Sequence, residues 1–318
     1  MAYSDRMMRS HLYTVFFAPR GFKRMADLGM QVAAQYLSPF DKLIGLVGEA
    51  GSGKSMLIRG MFPGLELTND DEGVNIRPLP LLSAAEDATG FYSAHTYHLD
   101  IRFESAFTQM HVLAEAILEA INLGKRVIVE HFDLIYPMLG RNAHLLIGIG
   151  EEVMITRPTL FGPEPHEIAD VVFKTLPVRR MVHSAEDVCS YLMTHQGVSS
   201  AYDHGDVLHG FVLGFPERPE LDLDRLERDI HDMIAANVPI TYMDESHIKI
   251  DGHPFVCSGP RMHVRSTAEI RGFTLHKELL LEPIGGRYLL VGTVGEQGRR
   301  RLSDLNRIRR ELDEDETP

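Results

Sequence analysis

Residues 42–55 read Lys42-Leu43-Ile44-Gly45-Leu46-Val47-Gly48-Glu49-Ala50-Gly51-Ser52-Gly53-Lys54-Ser55. The part through Val47 is an apolar run of strand length. Gly48, Glu49, Ala50, Gly51, Ser52, Gly53, Lys54 and Ser55 then fit G-x-x-x-x-G-K-[ST]. Residues 56–61 read as the opening of a helix. Strand, glycine loop and helix in that order are the context that gives the pattern meaning. Glycines let such a loop wrap with its N–H groups pointing inward, which makes an anion nest at a helix N-terminus. In that arrangement Lys54 reaches the β- and γ-phosphates and the Ser55 hydroxyl ligates Mg2+. The other reading is a glycine turn before a helix, with no ligand.

The surrounding chain supplies candidate partners. Residues 26–37 carry apolar groups at helical spacing and stop at Ser38-Pro39. After the turn at Phe62-Pro63-Gly64, residues 65–68 alternate like a short strand that runs into Asn69-Asp70-Asp71-Glu72-Gly73. Asp70 or Asp71 is a candidate catalytic base for a phosphoryl acceptor. The same pair also reads as a solvated acidic turn. Tyr97-His98-Leu99-Asp100 reads as a further strand ending in a carboxylate. Residues 107–121 form an amphipathic helix, with Met110, Leu113, Ala114, Ile117, Leu118 and Ile121 on one face. Arg126-Val127-Ile128-Val129-Glu130 is then an apolar strand ending in an acid. Glu130 is the candidate Mg2+ ligand beside Ser55, directly or through water, with Asp133 in reserve. Residues 145–150 and 152–156 read as two more strands joined by a tight turn. Arg141 and Arg157 flank them and either could neutralise phosphate charge, though surface arginines usually do nothing of the kind. No Asn-Lys-x-Asp guanine-reading box occurs, so ATP is the expected nucleotide.

Composition bounds the classes. The chain has 318 residues, 44% hydrophobic and 24% charged, which fits a globular protein of two domains. A net charge of −13 argues against a general nucleic-acid binder, and contact with tRNA would need a local basic patch. Two cysteines, Cys189 and Cys257, do not make a disulfide scaffold and point to a reducing, cytoplasmic setting. No apolar run is long enough to span a membrane. Residues 12–18 read as a strand or buried segment rather than a signal peptide.

In the second half a helix over 166–173 is expected to link two domains. Val182-His183-Ser184-Ala185-Glu186-Asp187-Val188-Cys189 follows, then an expected strand over His204-Gly205-Asp206-Val207-Leu208-His209-Gly210-Phe211-Val212-Leu213-Gly214-Phe215. A helix over 223–236 ends at Asn237-Val238-Pro239-Ile240. Last comes Cys257-Ser258-Gly259-Pro260-Arg261-Met262-His263-Val264-Arg265-Ser266-Thr267-Ala268-Glu269-Ile270. Over about residues 178–295 these pieces resemble the second additional, editing domain of threonyl- and alanyl-tRNA synthetases and of AlaX-type proteins. That family carries H-x-x-x-H on a helix, then a C-x-G-P-H-V-like loop with T-x-E-I after it. Two residues one helical turn apart share a face. With a Cys and a His from a separate loop they make a donor set suited to tetrahedral Zn2+.

The resemblance implies hydrolysis of the ester of a mischarged aminoacyl-tRNA, with His183, Asp187, Cys257 and His263 as the candidate zinc ligands. The chain departs from the pattern twice. Asp187 stands where the second His belongs. Five residues separate Cys257 from His263 where the family has three, so Arg261 takes the expected His position and the loop must bulge. The other reading is a degenerate site that keeps the fold without the metal. His204 and His209 read as structural or solvated rather than as ligands.

The expected architecture is α/β. A P-loop domain on a mainly parallel sheet covers residues 1–175, and an α+β editing-like domain covers 178–295. A charged helix and tail covers 296–318, and its arginines either touch tRNA phosphate or pair with the acidic end. The first half resembles P-loop kinases of the uridine kinase kind, which are found fused to synthetase-type domains, here in reversed order. The expected function is an ATP- and Mg2+-using kinase or ATPase whose second domain recognises an aminoacyl-tRNA end or related ligand. The rivals are a zinc-dependent trans-editing hydrolase with a regulatory P-loop domain, and a sensor that binds without turnover.

Overall fold

The computed structural model describes residues 13–67, 95–198, 201–295 and 302–306. The chain divides into two compact units that meet in sequence at Leu176 and Pro177. Asp70, Asp71 and the arginines of the C-terminal tail lie outside the described residues.

In the first unit six strands form one mixed sheet. They are β1 (Tyr13–Phe17), β2 (Leu43–Val47), β3 (Thr96–Asp100), β4 (Arg126–Glu130), β5 (Leu145–Ile149) and β6 (Glu152–Thr156), in the order β1-β6-β5-β2-β4-β3. Strands β3, β4, β2 and β5 run parallel. Strand β6 turns back against β5, and β1 pairs antiparallel with β6, so one edge departs from the parallel pattern. Strands β2 and β5 are buried at every residue, as parallel strands covered on both faces must be. One face packs Ile44, Leu46 and Ile147 against Met25, Leu28 and Val32 of α1 (Phe22–Tyr36) and Leu57 and Ile58 of α2 (Lys54–Met61). A short α3 (Ile101–Glu104) follows β3 directly. The other face packs Leu43, Val47, Val127 and Val129 against α4 (Met110–Asn122) and α5 (Phe132–Leu139). Residues 65–67 do not form the expected strand. The Leu65 N–H instead bonds back to Phe62 O at 3.1 Å, closing a turn.

The expected linker helix and the His183 helix are one element, α6 (Pro165–His195), with Pro177 inside it. Proline removes one helical N–H donor, a cost that packing can override. Ile168 and Val172 enter the first unit's core, while Val182, Ala185, Val188 and Met193 enter the second's.

The second unit is α+β. Its larger sheet is built on β7 (Asp203–Val207) and β8 (Gly210–Phe215), a hairpin where one strand was expected. His209 sits in its turn at a φ of 56°, the left-handed region that reverses a chain. Helix α7 (Leu223–Ala235) packs Leu226 and Ile230 against Phe211, Leu213 and Phe215. A second sheet holds β9 (Ile240–Asp244), β10 (His247–Ile250) and β11 (His253–Val256). Strands β12 (Thr274–Leu275), β13 (Leu280–Leu281) and β14 (Tyr288–Thr293) complete the larger sheet, β13 pairing antiparallel with β14. Among the described residues no helix is long and apolar enough to cross a membrane.

Candidate functional site

Parallel pairing brings three strand ends to one edge of the first unit. Leu46 and Asp100 are both register partners of Glu130, and the glycine loop begins two residues past Leu46. Within the loop, Gly51 and Gly53 take φ values of 77° and 97°, a region costly for other residues. Helix α2 starts at Lys54 with no side-chain cap, leaving its first N–H groups directed at the loop. Lys54 Nζ donates to Gly48 O at 3.1 Å and Glu49 O at 2.8 Å, and lies 3.6 Å from Glu130 Oε2. Ser55 Oγ donates to Glu130 Oε1 at 3.0 Å. The residues predicted for phosphate and Mg2+ chemistry are thus brought together across 75 positions of sequence.

Groups not singled out from the sequence complete this edge. The His98 Nε2–H donates to Glu130 Oε1 at 3.1 Å, which fixes its tautomer. Arg102 on α3 lies 4.0 Å from Glu49 of the loop. Asp100 and His131 place donor atoms within 4.8 Å of one from Glu130. Burial works against the Glu130 carboxylate, but the His98 hydrogen bond, the Lys54 charge and the Ser55 hydroxyl outweigh it and hold the group down at about 2. Burial lowers the Lys54 ammonium against the pull of Glu130 and Asp100. Asp133, the reserve ligand, sits on α5 outside the Asp100–Glu130–His131 group, and burial pushes its carboxyl up. The period-2 alternation that put His98 and Asp100 on one strand face was the available signal for the former.

Arg141 and Arg157 follow the structural one of the two readings. Arg157 bonds Asp41 at 2.6 and 2.9 Å, at the strand-start end of the sheet, because Asp41 just precedes β2. Arg141 precedes β5 at that same end and acts electrostatically on His144. The glycine loop leaves β2 at its opposite end, so neither arginine serves it.

In the second unit all four predicted ligands converge. His183 Nε2 lies 3.2 Å from Cys257 Sγ and 3.5 Å from Asp187 Oδ2. His263 Nε2 lies 3.2 Å from Cys257 Sγ and 3.4 Å from Asp187 Oδ2. Metal bonds of 2.0–2.3 Å around tetrahedral Zn2+ imply donor separations of about 3.3–3.8 Å, so the set fits that ion closely. The two extra loop residues form a turn, with Met262 N bonded to Gly259 O at 3.1 Å, and this delivers His263. Arg261 faces outward to Glu245 at 2.7 Å and to the Tyr242 ring. Ser184 was missed: its Oγ accepts from Val264 N at 3.0 Å and meets His263 Nδ1 at 3.2 Å, which turns Nε2 toward the cluster. Its signal was its place beside His183 on the helix. His204 bonds buried Glu186 at 2.6 Å. Burial, then Asp187, push the Cys257 thiol up, and burial lowers His263 to about 3. A bound cation would reverse the first of these, since it favours the thiolate. A cavity of about 390 Å³ opens beside His263, lined also by Tyr242, Arg261 and Arg265.

No family model matches the sequence, and comparison with curated proteins finds no match.

Proposed function

We propose that the first unit is a P-loop nucleotide site that binds ATP with Mg2+ and acts as a kinase or ATPase. The observation that carries this reading is the Ser55–Glu130 hydrogen bond of 3.0 Å, which joins the first helical hydroxyl after the loop to the acid that ends the neighbouring strand. In the bound state Lys54 leaves the Gly48 and Glu49 carbonyls for the β- and γ-phosphates, and Gly51 and Gly53 let the backbone N–H groups close around them. Bound Mg2+ would neutralise phosphate charge, with Ser55 and Glu130 as its protein partners. The test is calorimetric ATP·Mg2+ binding and phosphate release on the full chain beside Lys54→Ala. Wild-type binding that weakens at least about tenfold in the variant, with release lost, supports the reading. Equal binding by both would sink it.

The four-cornered donor set favours a second reading for the second unit. There His183, Asp187, Cys257 and His263 hold Zn2+, which would activate water for hydrolysis of an aminoacyl ester. Arg261 and Arg265 at the adjoining cavity suit the phosphates of a tRNA end.

A further inference from the structure

The acid edge of the first unit contains a histidine that the nucleotide reading does not use. His131 follows Glu130, is 3% exposed, and adopts a φ of 58° at the strand-to-helix turn. Such a conformation is uncommon for a residue other than glycine and persists where the surroundings enforce it. Its Nδ1 is buried with no hydrogen-bond partner among the described residues. Buried ring nitrogens are ordinarily satisfied, so this one calls for a ligand.

The same ring offers a donor atom within 4.8 Å of one from Asp100 and one from Glu130. Both carboxylates are buried as well. Ser55 and His98 take Oε1 of Glu130, leaving Oε2 with Lys54 at 3.6 Å. Lys54 is the group expected to swing toward phosphate, which would open that oxygen. Octahedral bonds near 2.1 Å put donors about 3 Å apart in cis and about 4.2 Å in trans, so small side-chain rotations close the set.

We propose that Asp100, Glu130 and His131 form a site for a first-row transition dication of the Mn2+ type, used at this centre in preference to Mg2+. Two carboxylates and one imidazole leave three positions of an octahedron for the Ser55 hydroxyl, water or phosphate oxygens. Imidazole is a ligand of first-row transition dications, whereas Mg2+ takes an all-oxygen set, and the two carboxylates suit Mn2+ within that row. The proposal names the ion of the nucleotide centre, and it rests on that reading only for what the ion does there, since all three ligands come from the protein.

The test is electron spin-echo spectroscopy of substoichiometric Mn2+ on the full chain without nucleotide, read for nitrogen coupling from imidazole. The variants are His131→Asn, Asp100→Asn and His263→Asn. Asparagine tolerates a positive φ at 131 and can still cap α3 at 100, where Asp100 accepts from Phe103 N at 3.2 Å. The expected result is nitrogen coupling in wild type and in His263→Asn, and none in His131→Asn. Mn2+ affinity should fall at least about tenfold in His131→Asn and in Asp100→Asn. Each variant's thermal melt separates ligand loss from misfolding. Coupling that is absent in wild type, survives His131→Asn, or vanishes only in His263→Asn overturns the proposal. ATP binding insensitive to Lys54→Ala would overturn the nucleotide reading alone and leave this result standing.

Discussion

Arg157 shows how one side chain can look functional in sequence and be structural in space. Its guanidinium meets both Asp41 oxygens and donates to the carbonyls of Tyr36 and His144. Arg126 donates to the Asp41 carbonyl at 2.8 Å, so one buried acid anchors three segments. His144 belongs to this network: its Nδ1 accepts the Leu43 N–H at 3.0 Å, which requires the unprotonated nitrogen. Burial, then the charge of Arg141, lowers His144 from its ordinary 6.5. The folded state therefore binds fewer protons than the unfolded chain just below pH 6.5. Stability from this group is complete above about pH 6.5 and is lost as pH falls toward the folded value. Chemical denaturation from pH 7.5 to 5 should show a smaller loss of stability in His144→Gln than in wild type. Parallel curves would refute the assignment. At this scale Lys54, Ser55 and Glu130 were legible because one motif fixes their spacing and strand ends fix their place. Arg102 and His131 were not, because their places follow from how β3 and β4 pair, and His98 had only the alternation of β3 to point to it. The fate of Arg157 depended on a partner 116 positions away.

Among the elements, the sheet strands were readable from apolar runs and α4 from its periodicity. Helix α6 was legible only over 166–173, and its continuation through Pro177 to His195 was not, because a proline inside a helix is tolerated only where packing offsets the lost N–H donor. The hairpin of β7 and β8 was missed because Leu208-His209 lacks the usual glycine or asparagine turn signal. The approach of α1 and α2 was also hidden. A Cβ on Gly29 would meet Leu57 O at 2.3 Å, and one on Gly60 would meet Ala26 O at 2.0 Å. Both obstacles are backbone, so neither can rotate away. Glycine to alanine inside an ordinary helix stabilises by about 1 kcal/mol. Here Gly60→Ala should destabilise by about 3 kcal/mol, because α2 must move off α1. Equilibrium urea unfolding measures this. A neutral or stabilising result would show that the helices do not approach so closely, and that the loop preceding α2 is not held by this contact.

At the scale of the molecule, the described residues of the two units hold two chemically distinct donor sets. One is oxygen-rich, with Asp100, Glu130 and one imidazole; the other joins a thiol, two imidazoles and a carboxylate. The first suits hard or intermediate dications and the second suits Zn2+. In the second set His183 and Cys257 were legible from the resemblance, Asp187 and His263 were legible as departures from it, and the bulge needed to deliver His263 is the turn closed by Met262 N on Gly259 O. A ligand that binds only the folded state stabilises what it binds, by about 4 kcal/mol at a thousand-fold excess over Kd. Zinc should therefore raise hydrogen-exchange protection in residues 182–195 and 257–264, and ATP with a dication should raise it in residues 48–61. Chelation of the purified chain should strip the first effect and spare ATP binding, provided the dication of the nucleotide centre is restored. Cys257→Ser should abolish zinc uptake while leaving the ATP footprint unchanged. If zinc leaves exchange at 182–195 and 257–264 untouched, the second cluster is a neutral hydrogen-bonded core, consistent with a raised Cys257 and a lowered His263. The hydrolase reading would then fall while the nucleotide reading stood, because the first rests on His183, Asp187, Cys257 and His263 and the second on Lys54, Ser55 and Glu130.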